Sequence, residues 1–380
     1  MGGIMDFHYN IPTKVSFVNY EQTMEYLYGG KFINKHILLV MSVRMMERFG
    51  FSEIIEDLKK NNHVTHIVEA PPNPTEMDIL EALNLIAVDY EIVIACGGGS
   101  VIDLAKAIIA LSYKRTQVSQ VIKDAIIKKE YLQHEKKVEF IAVPTTAGTG
   151  SEVTRWATVW DSSREMKMSV DAPWLAPSVA YIIPELTMKL SNRLTLSTGL
   201  DALTHAIESY WSKKSNAISR ELSKSAIHLI TKYLPKVLKD PDHLEYRTKM
   251  SLGSVFAGLA FANTRTTACH SISYPLTMRY GVEHGFAAAI TLIPIMRLNR
   301  ESIVEIDEFM NSYGGSSIDD MQEWLDEICR DIQRLRLSSF GIHKEDIKMI
   351  AEMSFTAGRM DNNPVDIQIE DIIEILNEIL

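Results

Sequence analysis

Asp201 and His205 stand four residues apart in Leu200-Asp201-Ala202-Leu203-Thr204-His205-Ala206, a spacing that points both side chains to one face of a helix. A carboxylate oxygen and an imidazole nitrogen so placed can grip one cation, or can simply make a helix-face hydrogen bond. Two more histidines, His270 and His284, follow on a stretch where Pro275 and Gly281 are expected to interrupt the helix and let the chain fold back. One carboxylate with three imidazoles is a donor set suited to ferrous iron or zinc. The other histidines, such as His63, His66 and His228, show no comparable grouping and are read as structural or exposed.

A second kind of chemistry is suggested by Cys96-Gly97-Gly98-Gly99-Ser100, which follows an apolar run and opens a helical pattern containing Asp103 and Lys106. Consecutive glycines let backbone N–H groups approach a diphosphate, and a helix start adds partial positive charge. The pattern is neither GxGxxG nor GxxxxGK[ST], and a tight turn that binds nothing fits the same residues. Pro144-Thr145-Thr146-Ala147-Gly148-Thr149-Gly150-Ser151 repeats the theme with hydroxyls. It offers donors to a ribose, amide or phosphate at the carboxyl end of a strand, or else is a polar loop with a helix cap at Ser151.

The elements that must position these residues are legible as alternating patterns. Short β-rich runs occur at Ile37–Met41, Val64–Val68, Ile92–Ala95, Phe140–Val143 and Val179–Ile183, with helical periodicity between them at Glu76–Asp89 and Ile102–Leu111. Strand–helix–strand repetition implies a parallel sheet covered on both faces. Beyond about Thr195 no convincing strand follows, and helical periodicity runs to Ile369–Leu380. The expectation is an α/β dinucleotide-binding domain with a parallel sheet over residues 1–186 and an all-helical metal-binding domain over 187–380. The segment Pro184–Leu194 joins them, and a crevice between two such domains is a favoured place for a ligand. Gly314-Gly315-Ser316-Ser317 reads as a turn between helices.

Composition narrows the classes of function. A chain of 380 residues that is 46% hydrophobic and 23% charged is a folded globular protein. Its net charge of −10 disfavours nucleic acid and acidic membrane surfaces. Three cysteines, Cys96, Cys269 and Cys329, without a CxxC spacing support neither a disulfide framework nor a thiolate zinc site. The longest nearly apolar stretch, Phe286–Met296, is far short of the roughly 20 residues that span a bilayer, and the first residues lack a secretory pattern. A soluble, cytoplasmic protein is expected.

Taken together, GGGSVIDLAK (97–106), PTTAGTGSEVT (144–154), TGLDALTHAIESY (198–210) and the block from His270 to His284-Gly285 occur in an order that resembles the iron-dependent, group III alcohol dehydrogenases over nearly the whole chain. The resemblance implies an architecture of the iron-dependent alcohol dehydrogenase and dehydroquinate synthase type, often assembled as a homo-oligomer. It implies metal ligation by Asp201, His205, His270 and His284, with Fe2+ or Zn2+ as the ion. It implies NAD or NADP held by Ser42, Asn73, Gly97, Gly98, Gly99, Ser100, Asp103, Thr145, Thr146, Thr149 and Lys167. The implied chemistry is hydride transfer between the nicotinamide and a carbonyl carbon, with the divalent ion as Lewis acid and no side-chain acid obligatory.

Three departures from the family pattern carry information. Ser42, followed by Arg44, replaces an aspartate that would repel a 2′-phosphate, so NADPH is permissible. Tyr274 replaces a second histidine. Arg265 stands a turn before His270, where a guanidinium costs desolvation energy unless an anion or a carboxylate partners it. The surrounding residues are similar to the branch that reduces phosphonoacetaldehyde to 2-hydroxyethylphosphonate. Trp156 and Arg359 join Arg265 as expected substrate-side residues for a small anionic aldehyde. The rival readings are reduction of succinate semialdehyde or of a neutral alcohol or diol, a dehydroquinate synthase-type lyase that consumes no net NAD(P)H, and a module that binds nucleotide without turnover.

Overall fold

The computed structural model describes residues 8–23, 32–41, 49–68, 70–86, 88–163, 166–188, 190–356 and 358–380. The chain divides into two compact units, Pro12–Met188 and Lys189–Leu380, the latter grouped with the N-terminal residues up to Ile11.

In the first unit, strands β1 (Lys14–Phe17), β2 (His36–Met41), β3 (His63–Val68), β4 (Ile92–Gly97), β5 (Glu139–Pro144) and β8 (Val179–Ile182) form one sheet in the order β1-β8-β5-β4-β2-β3. All its pairings are parallel. After their first residues, His36 and Glu139, the central strands β2 and β5 are apolar throughout, as is β4, because both faces are covered. Leu38, Val40, Val93, Ala95, Phe140 and Ala142 enter one core, while Ile37, Leu39, Met41, Ile92, Ile94, Ile141 and Val143 enter the other. Helix α1 (Phe51–Asn61) buries Phe51, Ile54, Ile55 and Leu58, the i, i+3, i+4, i+7 stripe of an amphipathic helix. Helix α2 (Glu76–Leu85) starts at Thr75, whose side chain and that of Asp78 cap each other's backbone N–H. It ends four residues short of the expected Asp89. Helix α3 (Gly99–Leu111) is buried on almost every side, and α4 (Ser119–Ile127) packs its Ile122, Ala125 and Ile126 into the same core.

Five strands were expected, and eight are present among the described residues. The additions are the edge strand β1 and an antiparallel hairpin of β6 (Trp156–Trp160) with β7 (Lys167–Asp171). The hairpin's inward residues Ala157, Val159, Met168 and Val170 join the core that contains α3.

The second unit has no strand among its described residues. Its helices include α5 (Asn192–Trp211), α6 (Ala217–Lys239), α7 (Leu244–Thr264), α8 (Ala268–Tyr280), α9 (His284–Ala289), α10 (Leu292–Asn299), α11 (Ile306–Ser312), α12 (Ile318–Cys329), α13 (Ile347–Met353) and α14 (Ile369–Glu378). Ser191 caps α5 by accepting from the Leu194 N–H, and Asn216 caps α6. Pro275 does not interrupt the chain as expected but sits inside α8. The reversal is made by Gly281 alone, at φ +66°. No helix among the described residues is long and apolar enough to cross a membrane.

Candidate metal centre and nucleotide-binding loops

The register of the sheet brings the two polar loops together. Gly97 pairs with Pro144 at the carboxyl ends of β4 and β5, and the Thr145 N–H donates to the Gly97 carbonyl at 3.0 Å. The following residues then face one another closely. A Cβ on Gly99 would stand 2.6 Å from the Thr149 side chain, so only glycine lets the loops meet. Asn73, at φ +58°, donates its N–H to Ser100 Oγ at 3.2 Å. Asn73, Gly97 through Ser100, Thr145, Thr146 and Thr149 therefore share one locality at the start of α3. Ser42 and Arg44 lie outside the described residues.

Asp103 has a bonded place beneath these loops. Its carboxylate accepts from Ser151 Oγ at 2.5 Å and from the Thr158 N–H at 2.8 Å. Ser151 caps no helix. It also meets the fully buried Lys106, which donates to Ser151 O (2.6 Å), Ser151 Oγ (2.8 Å) and Trp156 O (2.8 Å). Burial lowers the Lys106 ammonium to about 8 and raises Glu152 to about 7. Asp103 is raised, again chiefly by burial, with Lys106 and Ser151 opposing. This network fastens α3, the loop after β5 and the hairpin to one another. Lys167 extends from β7 and donates to Ser169 Oγ at 2.8 Å, and Trp156 lies on β6 of the same unit.

In the helical unit, α5 carries Asp201 and His205, α8 carries His270 near its start, and α9 opens with His284. Donor atoms of Asp201, His270 and His284 lie within 4.8 Å of one another. From Asp201 Oδ1 the distances are 3.5 Å to His270 Nε2, 3.8 Å to His284 Nε2 and 3.8 Å to His205 Nδ1. The His205 ring stacks between Phe261 and His270, with centroids at 4.2 and 4.3 Å. Close packing of α9 on α5 makes this possible, because a Cβ on Gly285 would stand 1.8 Å from the Ser197 carbonyl.

The donor set fits a divalent cation. Asp201 Oδ1, His205 Nδ1 and His270 Nε2 are buried without a hydrogen-bond partner, an expensive arrangement for groups that converge without a cation. Burial alone would raise the Asp201 carboxyl, but the imidazoles of His205, His284 and His270 hold it well below its ordinary range. Burial lowers His205 to about 3, so its imidazole is neutral. His270 is opposite in sense: burial lowers it, yet Glu208 and Asp201 raise it to about 9.

Glu208 is the site-forming residue that sequence reasoning missed. It lies fully buried on α5, and its Oε2 meets His270 Nδ1 at 2.5 Å. Its Oε1 accepts from Thr267 Oγ1 and from the Cys269 N–H, both at 2.7 Å, and Trp211 Nε1 donates to Thr267 Oγ1 at 2.8 Å. Burial raises its carboxyl, but His270 and Thr267 overcome that and hold it below its ordinary value. Its position seven residues after Asp201, on the same helix face, was the available signal.

Comparison with known families settles the class. The "Iron-containing alcohol dehydrogenase" model matches residues 17–184, and the "Fe-containing alcohol dehydrogenase family, C-terminal" model matches residues 195–380. The chain belongs to the iron-containing alcohol dehydrogenase family. As a member of that family it is an oxidoreductase. It is 29% identical to an NAD-dependent methanol dehydrogenase of Bacillus methanolicus, over 90% of this chain and 92% of the relative. It is 37% identical to a phosphonoacetaldehyde reductase of Streptomyces viridochromogenes, over 60% of this chain and 58% of the relative. The fold is similar to the crystal structure of sulfoacetaldehyde reductase from Bifidobacterium kashiwanohense in complex with NAD+, with a TM-score of 0.85 and 29% identity, covering 99% of each chain.

Of the expected substrate-side residues, Arg359 lies near the expected metal ligand His284 by way of Tyr274, and Arg265 lies against the residue before Arg359. Tyr274 stacks parallel to His284 with centroids 6.1 Å apart, and the Arg359 guanidinium lies 5.5 Å from the Tyr274 ring centroid. Burial raises the Tyr274 phenol, with Arg359 opposing. A Cβ on Gly358 would stand 2.8 Å from Arg265 Nη1, which places the Arg265 guanidinium against the residue preceding Arg359.

Proposed function

We propose that this oxidoreductase uses NADH or NADPH to reduce a short aldehyde with an anionic tail, phosphonoacetaldehyde being the preferred substrate and 2-hydroxyethylphosphonate the product. The single observation that carries the anionic substrate is Arg359. Its guanidinium lies 5.5 Å from the ring centroid of Tyr274, which stacks parallel to His284, and its Nε is buried with no hydrogen-bond partner. A guanidinium donor left so near the reacting centre suits an oxyanion that arrives with the substrate. The similarity to phosphonoacetaldehyde and sulfoacetaldehyde reductases supports the same reading.

Asp201, His205, His270 and His284 would hold Fe2+ or Zn2+ through one carboxylate and three imidazoles. When bound, the ion supplies a Lewis acid for the carbonyl oxygen, and the dinucleotide supplies hydride. The remaining work belongs to the chain. Glu208 accepts the Nδ1 proton of His270 and so leaves Nε2, beside Asp201, as the nitrogen that would give up its proton to a cation. The loops at Gly97–Ser100 and Thr145–Thr149, with Asn73 beside them, present backbone N–H groups and hydroxyls for a diphosphate and ribose, and Lys167 offers a further cation to that ligand. Arg359 and Arg265 orient the substrate tail, which makes binding geometry part of the rate. Tyr274 keeps its phenolic proton and is assigned no proton transfer.

The test is an aldehyde panel on metal-reconstituted enzyme. Initial rates are compared for phosphonoacetaldehyde, sulfoacetaldehyde, succinate semialdehyde and propanal, each with NADH and NADPH. The expected order places phosphonoacetaldehyde first in kcat/KM. Equal efficiency on propanal removes the anionic substrate, and turnover without net NAD(P)H consumption removes the reductase.

A further inference from the structure

Arg265 occupies a backbone conformation that side chains avoid. Lys129 and Glu305 also have positive φ, but with ψ of 36° and 50° they lie in the left-handed helical region. Arg265, at the end of α7, combines φ +62° with ψ 174°, a region essentially reserved for glycine. Such a conformation persists only where its surroundings over-determine it, and here they do. The Arg265 N–H donates to the Phe261 carbonyl at 2.8 Å. Asn362 Nδ2 donates to the Thr264 and Thr266 carbonyls at 2.9 and 3.0 Å, and Ser212 Oγ donates to Thr264 O at 3.2 Å. Thr264, Thr266 and Thr267 are all buried.

The same staple fixes what the strained residue faces. Asn362 follows Arg359 by three residues, so its two hydrogen bonds tie the loop 264–267 to the segment that carries Arg359. Arg265 Nη1 meets that segment at Gly358. Glycine at position 265 would relieve the backbone, whereas arginine keeps a guanidinium against Gly358 at the cost of that strain.

We infer that Arg265 is the specificity-determining residue of the tail site. Its glycine-only backbone geometry holds a second guanidinium beside Arg359, and the pair forms a two-arginine seat for a phosphonate or sulfonate group. This inference rests on the anionic-aldehyde reading given above. Stability is traded for selectivity at one position, and the two can be measured separately.

The experiment compares Arg265→Gly and Arg265→Lys with wild type in the full-length, metal-loaded enzyme. Arg265→Gly removes both strain and guanidinium. Its Tm should rise by roughly 2–4 °C, while the ratio of kcat/KM on phosphonoacetaldehyde to that on propanal falls by roughly 10–100-fold, mainly through KM. Arg265→Lys keeps the strain and a point charge but loses the fork, so its Tm should stay within about 1 °C of wild type. Its selectivity should fall between the other two. Sulfoacetaldehyde distinguishes a singly charged tail from the doubly charged phosphonate, and a selectivity loss on either supports the oxyanion seat. A lower Tm in Arg265→Gly, or a selectivity ratio within threefold of wild type, overturns this inference alone. A wild type with no preference for anionic aldehydes overturns the functional reading and this inference with it.

Discussion

Glu208→Gln provides a direct test of how the metal centre is built. The carboxylate accepts three hydrogen bonds in a fully buried position: from Thr267 Oγ1, from the Cys269 N–H and from His270 Nδ1. A glutamine of the same shape has one oxygen and one NH2, and cannot serve all three. If the NH2 faces His270, it donates to Nδ1 and drives the proton to Nε2, the nitrogen that lies 3.5 Å from Asp201 Oδ1. Loss of such a supporting carboxylate lowers metal affinity by about 10–100-fold, or about 1.4–2.7 kcal/mol. If the amide turns the other way, the buried Cys269 N–H loses its acceptor at a cost of about 1–3 kcal/mol, which appears as lost fold stability instead. A chelator-competition titration of the metal-free protein with Co2+ or Zn2+, beside thermal melts of the same metal-free samples, separates the two outcomes. We expect weaker metal binding with a melting temperature close to wild type. Wild-type affinity with unshifted Co2+ absorption bands would refute the assignment of Glu208 as the residue that orients His270.

Two further predictions concern the nucleotide-binding unit. Gly99→Ala places a Cβ 2.6 Å from Thr149 and should force the two loops apart, weakening NADH and NADPH binding by roughly tenfold or more in a fluorescence titration, while metal affinity in the helical unit stays at the wild-type value. Unchanged nucleotide affinity would show that the loops do not hold the cofactor. Glu152, raised by burial to about 7 from an ordinary 4.5, stabilises the fold fully below pH 4.5 and loses that contribution as pH rises through 7. Glu152→Gln should remove that slope, about 3 kcal/mol across the window, from denaturant-melt stability measured between pH 5 and 8. Identical slopes in both proteins would contradict a neutral buried carboxyl.

What was legible in the sequence was what one element can encode by itself. The i, i+4 pair Asp201 and His205 belongs to a single helix, and the two polar loops each directly follow an apolar strand, so spacing and pattern marked them as candidates, which the family resemblance then tied to a metal and a dinucleotide. Strand β1 was missed because four half-exposed residues at a sheet edge carry little hydrophobic signal. The hairpin did show period-2 burial at Ala157, Val159, Met168 and Val170, but its runs of five residues are too short to stand out against loop sequence.

Tertiary structure alone decided the rest, because its interactions join residues far apart in the chain. Glu208 and His270 are 62 positions apart, and nothing in either local pattern announces that they share a proton. Pro275 forbids one backbone hydrogen bond, yet the packing of α8 carries the helix through it. The positive φ of Arg265 is likewise imposed from outside, by Asn362 reaching back 98 residues to the Thr264 carbonyl. Local residue types determine which groups are available and which elements they ride on; which of those groups meet, and at what strain, is settled only when the packed helices force buried donors and acceptors to find one another.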